Sequence, residues 1–305
     1  MLDTIRTYKL YFLIVNYNSS QLIERLINSL ALKPEDKAQY QITIVNNSPK
    51  DKEICCLKNE SIKIIEAGSN LGFGRACNLG LDWIYSQDKR AIAWLINPDT
   101  YFNLDAEDIE AHPVDIAIAL FQKYPQISLL GTTVYDSQGK LTSAGGLFTP
   151  GTAALKTIDF LPENSAEYWQ TDWTSGCSLS IDLAKFASCP KFDPRYFMYY
   201  EDLDFCLRYN QQGHQIAVTP LIKVFHDTST ISDRNLFAKY QYVTRSYLIH
   251  IEKHGSRNTF IRTNLRMMAN TVRLILFRPQ QGWGKLIGIY QYWQTRFTER
   301  SPTSY

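Results

Sequence analysis

YFLIVNYNSSQLIERLINSL, residues 11–30, decides the fold of this chain. Its first seven residues, Tyr11–Tyr17, are mostly apolar or aromatic, which is typical of a buried strand. Leu22, Leu26 and Leu30 then recur at helical spacing, so one face of the following helix is apolar. A buried strand followed directly by an amphipathic helix is the start of a strand–helix–strand unit, and it predicts an α/β fold.

The same alternation continues along the chain. Further apolar runs predict strands at Ile42–Val45, Ile62–Ile65 and Ala91–Ile96, and a helical pattern begins near Gly74, before the last of them. Strands that alternate with helices favour a mainly parallel, Rossmann-like sheet flanked by helices. With 305 residues and 45% hydrophobic content, the chain is long enough to bury such a core.

Polar side chains follow three of these strands at the point where each strand ends. Asn16 and Asn18 follow the first strand, Asn46 the second, and Asn97 and Asp99 the fourth. The carboxyl ends of the strands form the ligand crevice of a doubly wound sheet, so these residues predict a binding site there. The alternative is that each is an ordinary loop, since Asn and Asp are common in turns.

A second candidate site lies in PRYFMYYEDLDFCLRYNQQG, residues 194–213, where an aromatic run ends on Glu201, Asp202 and Asp204. Helix capping would explain one or two of these carboxylates. The functional alternative is a general base with supporting carboxylates at a pocket. On a helix Glu201 and Asp204 share a face, whereas Asp202 lies about 100° from Glu201. The three carboxylates therefore cannot all point at one atom.

Charge is distributed unevenly between two parts of the chain. Residues 236–305 contain 11 Lys and Arg but 2 Asp and Glu, which leaves 21 basic and 28 acidic residues in the remainder. An acidic body, residues 1–235, followed by a basic, aromatic tail, residues 236–305, is the organisation that this pattern predicts. No recognised nucleic-acid motif accompanies the basic tail, so a nucleic-acid partner is not expected.

Six cysteines show no CxxC pair and no zinc-ligand spacing, so they predict reduced thiols in a cytoplasmic protein. The apolar stretch near the start is interrupted by Asn16 and Asn18 and reads as a strand, not as a signal peptide. The sequence contains no run of 18 uncharged apolar residues, so no transmembrane helix is predicted.

Taken in order, these segments resemble the family 2 inverting glycosyltransferases, and within them the rhamnosyltransferase-like group. The similarity runs from about Leu10 to Thr230 and rests on FLIVNYNSSQLIERLINSL, ITIVNNS, AGSNLGFGRACNLGL, WLINPDT, TSGCSL, FDPRYFMYYEDLDFCLR and VFHD. The resemblance implies a GT-A-like catalytic domain in residues 1–235, with a nucleotide-binding half (1–100) and an acceptor half (101–235). A helical C-terminal extension would occupy residues 236–305.

The resemblance also implies a role for each candidate residue. Asp202 would be the general base, while Asp99 and His226 would hold Mg²⁺ or Mn²⁺, with Asn97-Pro98-Asp99 in the place of the family's Asp-x-Asp element. The residues implied in donor binding are Asn16, Asn18, Asn46, Gly72, Gly74, Arg75, Asn78, Asn97 and Asp99. Those implied in acceptor binding are Trp173, Ser175, Gly176 and Glu201.

Two of these assignments have plain structural alternatives. A lone histidine after an apolar strand is commonly a hydrogen-bonded structural residue, which is the alternative for His226. Gly72 and Gly74 would also suit a simple glycine-rich entry into a helix. In addition, Asn46 stands where the family commonly has Asp, although an amide oxygen can likewise accept the N3–H of a pyrimidine.

The activity that the resemblance implies is inverting transfer of a sugar from a nucleotide-diphosphate donor, with dTDP-rhamnose as the first expectation. The acceptor would be a glycan or a lipid-linked saccharide in cell-surface polysaccharide and cell-wall synthesis. One alternative is a non-catalytic module that binds carbohydrate or a protein partner. The other is an NAD-dependent oxidoreductase, but Gly72-x-Gly74-x-x-Cys77 lacks the third glycine and follows the third strand, not the first.

The basic tail predicts an amphipathic helix that contacts the inner face of the cytoplasmic membrane. The alternatives are packing on the catalytic domain and contact with a second subunit; the sequence does not define an oligomeric state. The apolar and aromatic residues that carry the prediction are Leu265, Met268, Val272, Ile275, Trp283, Tyr290, Tyr292, Trp293 and Phe297, and the basic ones are Arg262, Arg266, Arg273 and Arg278.

Overall fold

The computed structural model describes residues 8–32, 39–104, 111–162, 167–227 and 235–300. These residues form two compact units, each assembled from several chain segments. The first falls within Met1–Leu147, Lys156–Asp193 and Asp202–Thr228, and the second within Phe148–Leu155, Pro194–Glu201 and Ser229–Tyr305. Segments 148–155 and 194–201 thus belong to the same unit as the C-terminal helices, although they precede residue 235 in the sequence.

The first part of the first unit is a parallel sheet with interspersed helices. Its strands are β1 (Leu10–Asn16), β2 (Tyr40–Asn46), β3 (Ile62–Glu66) and β4 (Ile92–Ile96), in the order β3-β2-β1-β4. Helix α1 (Ser20–Ser29) follows β1, and α2 (Phe73–Gln87) lies between β3 and β4 in the sequence. All four strands run parallel, so their carboxyl ends, where the predicted polar residues lie, meet at one edge.

The sheet continues beyond β4 with β6 (Ile127–Tyr135), β10 (Trp169–Gln170), β11 (Ser178–Asp182) and β12 (Gln215–His226). This part is a mixed structure, in the order β4-β11-β6-β12-β10. Strand β11 runs antiparallel to both its neighbours, whereas β12 runs parallel to β6. The remaining elements of this unit are β5 (Thr100–Tyr101), α3 (Pro113–Lys123), β7 (Leu141–Ser143) and α4 (Glu201–Gln211) apart from its first residue. Strands β8 (Gly146–Thr149) and β9 (Ala154–Thr157) form a separate two-stranded sheet, and residues 148–155 of this hairpin belong to the second unit. The predicted α/β fold is confirmed.

Aromatic side chains fill the core on one face of this sheet. Trp94 on β4 is fully buried, stacks on Phe12 of β1 and meets Phe102 edge to face. Its indole nitrogen donates to the Ser178 hydroxyl at 3.0 Å, so the only polar atom of this side chain is satisfied across the β4–β11 pair. The core thereby fixes β11 against β4, which matters for the site below.

Three long helices make up most of the second unit: α5 (Leu236–His254), α6 (Arg257–Phe277) and α7 (Pro279–Arg300). Helices α5 and α7 approach closely, because a Cβ added at Gly284 or Gly288 would lie 2.4 Å from the carbonyl oxygen of Phe237 or Gln241. Near the other end of α7, Arg296 forms a 3.0 Å ion pair with Glu252 on α5. The predicted helical C-terminal region is confirmed, and none of the described helices is both long and apolar enough to cross a bilayer.

Candidate active site

The two predicted metal ligands meet because of a strand pairing. Strand β5 follows the Asn97-Pro98-Asp99 turn and pairs antiparallel with the end of β12, which sets His226 opposite Thr100. The Nε2 atom of His226 then lies 3.0 Å from Oδ1 of Asp99, although the residues are 127 positions apart in the sequence. The backbone N–H of Asp227 also donates to the Asp99 carbonyl at 3.0 Å, which holds the two chain segments in register.

Burial and hydrogen bonding have opposite effects on His226. Burial favours the neutral ring and lowers its pKa, but hydrogen bonds with Asp99 and Cys177 outweigh this effect and raise the pKa to about 10. The raised pKa favours the protonated ring of His226 beside Asp99 at neutral pH. A divalent cation at this position would take the place of that proton between the two side chains.

The donor set suits a metal that also binds a diphosphate. Among the described residues, no three His, Cys, Asp or Glu side chains are arranged to hold a metal by themselves. Asp99 and His226 supply one carboxylate oxygen and one imidazole nitrogen. Mg²⁺ and similar ions are commonly held by one or two protein ligands together with substrate phosphates, so this pair fits such an ion.

Asp202, the predicted general base, is fixed by two backbone N–H groups. Its Oδ2 accepts from Gly176 at 2.9 Å and its Oδ1 from Leu203 at 2.8 Å. Burial raises the pKa of this carboxyl, and the two hydrogen bonds only partly offset that effect. A raised pKa makes the carboxylate a stronger base than an ordinary exposed aspartate.

Glycine at position 176 permits this contact. A Cβ added at Gly176 would lie 3.0 Å from the Cβ of Asp202, a separation that leaves almost no room for a side chain. Gly176 therefore brings its N–H to the carboxylate because it has no side chain of its own. Gly176 thus contacts the predicted general base, and its role in acceptor binding stays a prediction.

The same loop also reaches the Asn97-Pro98-Asp99 turn. Strand β11 runs antiparallel to β4, so the residues just before β11 lie at the carboxyl end of β4. There the backbone N–H of Asn97 donates to the Cys177 carbonyl at 2.9 Å. The structure thus brings Asn97, Asp99, Gly176, Asp202 and His226 to one edge of the sheet.

Beside this group, a network of amides joins the ends of β1 and β2. Asn16 is fully buried, and its Nδ2 donates to Oδ1 of Asn46 at 3.0 Å and to Oδ2 of Asp51 at 3.1 Å. The amide nitrogen of Asn46 in turn donates to Glu66 at the end of β3, at 2.9 Å. Asn18, which has a left-handed φ of 49°, accepts from the Ser48 hydroxyl at 2.6 Å.

Sequence reasoning missed Asp51. Both its carboxylate oxygens accept from the Ser20 hydroxyl at 2.8 Å, in addition to the bond from Asn16. Burial would raise the pKa of Asp51, but these hydrogen bonds outweigh burial and lower it, so the carboxylate is ionised at neutral pH. Asp51 therefore places a negative charge beside Asn16, whose amide also contacts Asn46. The only sequence signal for Asp51 was that a carboxylate follows soon after the second strand, and no motif marks this position.

The glycine-rich turn is tied to the end of β2 through Asn47, which was also not assigned. Asn47 accepts from the Leu71 N–H at 2.8 Å and donates to the Asn70 side chain at 3.0 Å. Gly72 precedes α2 with a φ of 83°, a conformation that glycine adopts without strain. In the first turn of α2, Gly74 is buried and Arg75 is exposed.

Two predicted ligand residues have other partners in the structure. The side-chain amide of Asn78 donates to the Phe192 carbonyl at 2.9 Å and accepts from the Phe192 N–H at 2.8 Å, so it anchors the backbone there. Trp173 is 8% exposed and donates to the Leu147 carbonyl at 3.3 Å, and its ring covers Gly146. Asn78 and Trp173 therefore help to position the surrounding chain, and their roles in ligand binding stay predictions.

The remaining predicted acceptor residues differ in their surroundings. Ser175 is partly exposed, and its hydroxyl accepts from the Cys177 N–H at 3.3 Å. Glu201, the first residue of α4, is buried in the second unit. Asp204 is fully buried and accepts from Arg208 at 2.7 Å, one helical turn further along α4.

Comparison with known proteins decides the family. A family model described as Glycosyl transferase family 2 matches residues 11–151, which include the polar strand ends and the Asn97-Pro98-Asp99 turn. The chain carries a family 2 glycosyltransferase domain. This confirms the family inferred from the motifs, and the protein is a glycosyltransferase similar to the rhamnosyltransferases of that family.

Two relatives cover most of this glycosyltransferase. The Low-salt glycan biosynthesis hexosyltransferase Agl10 of Haloferax volcanii is 22% identical over 260 residues, which are 84% of this chain and 75% of that protein. The N-acetylglucosaminyl-diphospho-decaprenol L-rhamnosyltransferase of Mycobacterium tuberculosis is 23% identical over 253 residues, 72% of this chain and 76% of that protein.

A solved structure shows the same fold. The crystal structure of GalNAc-T7 with UDP, GalNAc and Mn²⁺ has a TM-score of 0.55 to this chain at 14% sequence identity. The similarity covers 87% of this chain but spans only 58% of that longer protein. The glycosyltransferase therefore has the GT-A fold that its motifs predicted.

Proposed function

We propose that this glycosyltransferase moves a sugar from a nucleoside-diphosphate donor to a hydroxyl group of a glycan or lipid-linked acceptor, with inversion at the anomeric carbon. The observation that carries the proposal is the position of Asp202. The Gly176 N–H fixes the carboxylate, and the neighbouring Cys177 is bonded to the turn that holds Asp99. A base and a candidate diphosphate-binding pair thus lie at one sheet edge.

The reaction is a single displacement. Asp202 accepts the proton of the acceptor hydroxyl, and the oxygen so activated forms a bond to the anomeric carbon. The bond between that carbon and the diphosphate oxygen breaks on the opposite face, and its electron pair leaves with the nucleoside diphosphate. The bond is made and broken on opposite faces, so the configuration inverts without a covalent enzyme intermediate.

Asp99 and His226 are the residues that would hold Mg²⁺ or Mn²⁺, which when bound neutralises the negative charge of the departing diphosphate. GalNAc-T7, whose structure contains UDP and Mn²⁺, supports the use of a divalent metal by this fold. The networks of Asn16 and Asn46 and of the Gly72 turn lie at the strand ends where a donor nucleotide would bind.

For the donor we propose dTDP-rhamnose, and for the acceptor a lipid-linked saccharide used in cell-surface polysaccharide synthesis. The relative named as an L-rhamnosyltransferase, which acts on a decaprenol-diphosphate-linked sugar by its name, supports both choices.

We further infer a cytoplasmic location. None of the six cysteines, all of which lie in the described part of the chain, forms a disulfide, as is usual in a reducing compartment.

A thermal-shift screen of dTDP-rhamnose, UDP-galactose, UDP-glucose and UDP-N-acetylglucosamine, with and without Mn²⁺, tests the donor and the metal together. We expect one donor to raise the melting temperature only when Mn²⁺ is present, because a bound ligand stabilises the folded state. NADH is the matched negative control, since it is a dinucleotide of similar size. Stabilisation by NADH and by no nucleotide sugar would contradict the proposal.

A further inference from the structure

Helix α6 exposes a continuous apolar stripe. Large side chains along the helix are between 47% and 73% exposed, and they recur at intervals of four, three, four and four residues. On an α-helix this spacing puts them within an arc of about 80°. They are Ile261, Leu265, Met268, Val272 and Leu276. We call this set the α6 stripe.

The α6 stripe is not the face by which the helix packs within its own unit. Met267 and Thr271 are buried, and they point away from Leu265 by about 160° and 120°. Ile275, which the sequence pattern placed on the outer face, is only partly exposed, and its backbone lies against Gly282 near the start of α7. Large apolar rows left in solvent usually mark a surface that meets a membrane or another protein.

Arginines border the α6 stripe on one side. Arg262, Arg266 and Arg273 are exposed and lie about 60° to 100° around the helix from Leu265. Arg257 begins the helix and Arg278 follows it, while the sequence of α6 contains no acidic residue. The outer surface of this helix thus combines an apolar centre with positive charge alone.

Helix α7 shows a second exposed row, made of aromatic side chains. Trp283, Tyr290 and Phe297 are 51%, 61% and 68% exposed and lie seven residues apart, on one side of the helix. Aromatic residues of this kind are enriched where proteins meet the headgroup region of a bilayer. Tyr292 and Trp293, expected from the sequence in the same role, instead belong to the packed core of the second unit.

We infer that the α6 stripe docks onto the surface of an anionic lipid bilayer. Its apolar side chains would enter the boundary between headgroups and acyl chains while the flanking arginines bind lipid phosphates. Charge decides against a second copy of this chain as the occupant. A symmetric pairing of two α6 stripes would bring arginines from both copies together, and α6 offers no carboxylate to neutralise them.

Vesicle flotation of the full-length protein tests this inference. Phosphatidylcholine vesicles with and without one quarter phosphatidylglycerol are compared at low salt and in 0.5 M salt. We expect binding to the anionic vesicles and at least tenfold weaker binding to the neutral ones. We also expect partial release by salt, since exposed charges are screened while apolar insertion is not.

Two triple variants separate the contributions. Leu265→Ser/Val272→Ser/Leu276→Ser removes apolar side chains, and Arg262→Gln/Arg266→Gln/Arg273→Gln removes charge. We expect the arginine variant to lose affinity for anionic vesicles on the order of 100-fold, at about a factor of five for each charge. The variant of the apolar side chains should no longer float. All these positions are exposed, so circular dichroism should show an unchanged melting temperature.

The matched control replaces exposed apolar residues of the first unit, in Phe160→Ser/Leu161→Ser/Leu221→Ser. It should bind vesicles like the unaltered protein. Equal binding of the control and the α6 variants, or equal binding to neutral and anionic vesicles, would overturn the inference. So would a dimer in analytical ultracentrifugation that the α6 variants convert to a monomer. Flotation needs no catalytic activity, so its failure would leave the proposed reaction untouched.

Discussion

The two compact units of this glycosyltransferase differ in the side chains that they hold in an unfavourable environment. The first buries polar groups at a sheet edge, including Asn16, Asn46 and Asp99. The second leaves an apolar stripe of α6 in solvent. Buried polar groups need hydrogen-bond partners and exposed apolar rows need cover, so each unit indicates a different kind of ligand. If this comparison is right, changes in one unit should affect chemistry and changes in the other should affect attachment.

The largest effect is expected at Asp202. Asp202→Asn should lower kcat by about 10²- to 10⁴-fold, because an amide cannot accept the acceptor proton. Donor affinity, measured by calorimetry, should remain unchanged, and so should vesicle binding.

Asp115→Asn is the matched control for that variant. Asp115 is an exposed carboxylate in the first turn of α3. Like Asp202 it lies near the N-terminus of a helix, but it is not part of the candidate active site. Its loss should change stability slightly and leave turnover intact. If the two variants have similar kinetics, Asp202 acts only as a helix-capping residue and not as the base.

A smaller effect is expected at the Asp99–His226 pair. Asp99→Asn removes the only anionic member, so about 100-fold more Mn²⁺ should be needed for half-maximal activity. A titration of the initial rate against Mn²⁺ measures this shift. If the dependence on Mn²⁺ is the same in the variant and the unaltered enzyme, Asp99 is not a metal ligand.

Gly176→Ala should cost about tenfold in kcat. The new methyl group would crowd the Cβ of Asp202, and a base displaced by a fraction of an ångström transfers a proton less effectively. Steady-state kinetics, with the melting temperature as a check on folding, measure this effect. Full activity in a variant that folds normally would show that the contact is not needed to position Asp202.

The smallest effect on chemistry is expected from Gly288→Ala. The added methyl group would press against the Gln241 carbonyl on α5, so we expect about 1–3 kcal/mol of lost stability in the second unit. Urea unfolding monitored by circular dichroism measures this loss, while donor binding should be retained. If Gly288→Ala lowers donor affinity as much as a donor-site variant does, the second unit also contributes to donor binding, which contradicts the division of roles between the two units.

Much of the sheet could be predicted from the sequence, because strand and helix periods are local. The predicted strand Ile42–Val45 lies within β2, Tyr40–Asn46, and the residues at the strand ends came together as expected. The pairing of Asp99 with His226 could not be predicted from local sequence patterns, because it depends on the pairing of β5 with β12, a strand far away in the sequence. Only the family resemblance brought the two together beforehand.

Two predicted ligand residues have structural partners that the sequence does not reveal. Asn78 and Trp173 carry side chains suited to ligands, but their partners, the Phe192 backbone and Gly146, are supplied by other segments of the chain. A sequence pattern shows that a polar or aromatic group is present, not which group satisfies it. The same limit applies to α6, where the period identified an apolar face but not which side of the helix packs.

The dependence of kcat/KM on pH shows whether Asp202 is the base. Burial raises the pKa of Asp202, so the carboxyl becomes protonated, and activity falls, at a higher pH than for an ordinary aspartate of about 3.9. We expect the activity of the unaltered enzyme to fall in acid at this higher pH, and the residual activity of Asp202→Asn to show no such fall. The same fall in both proteins would contradict the assignment of Asp202 as the base.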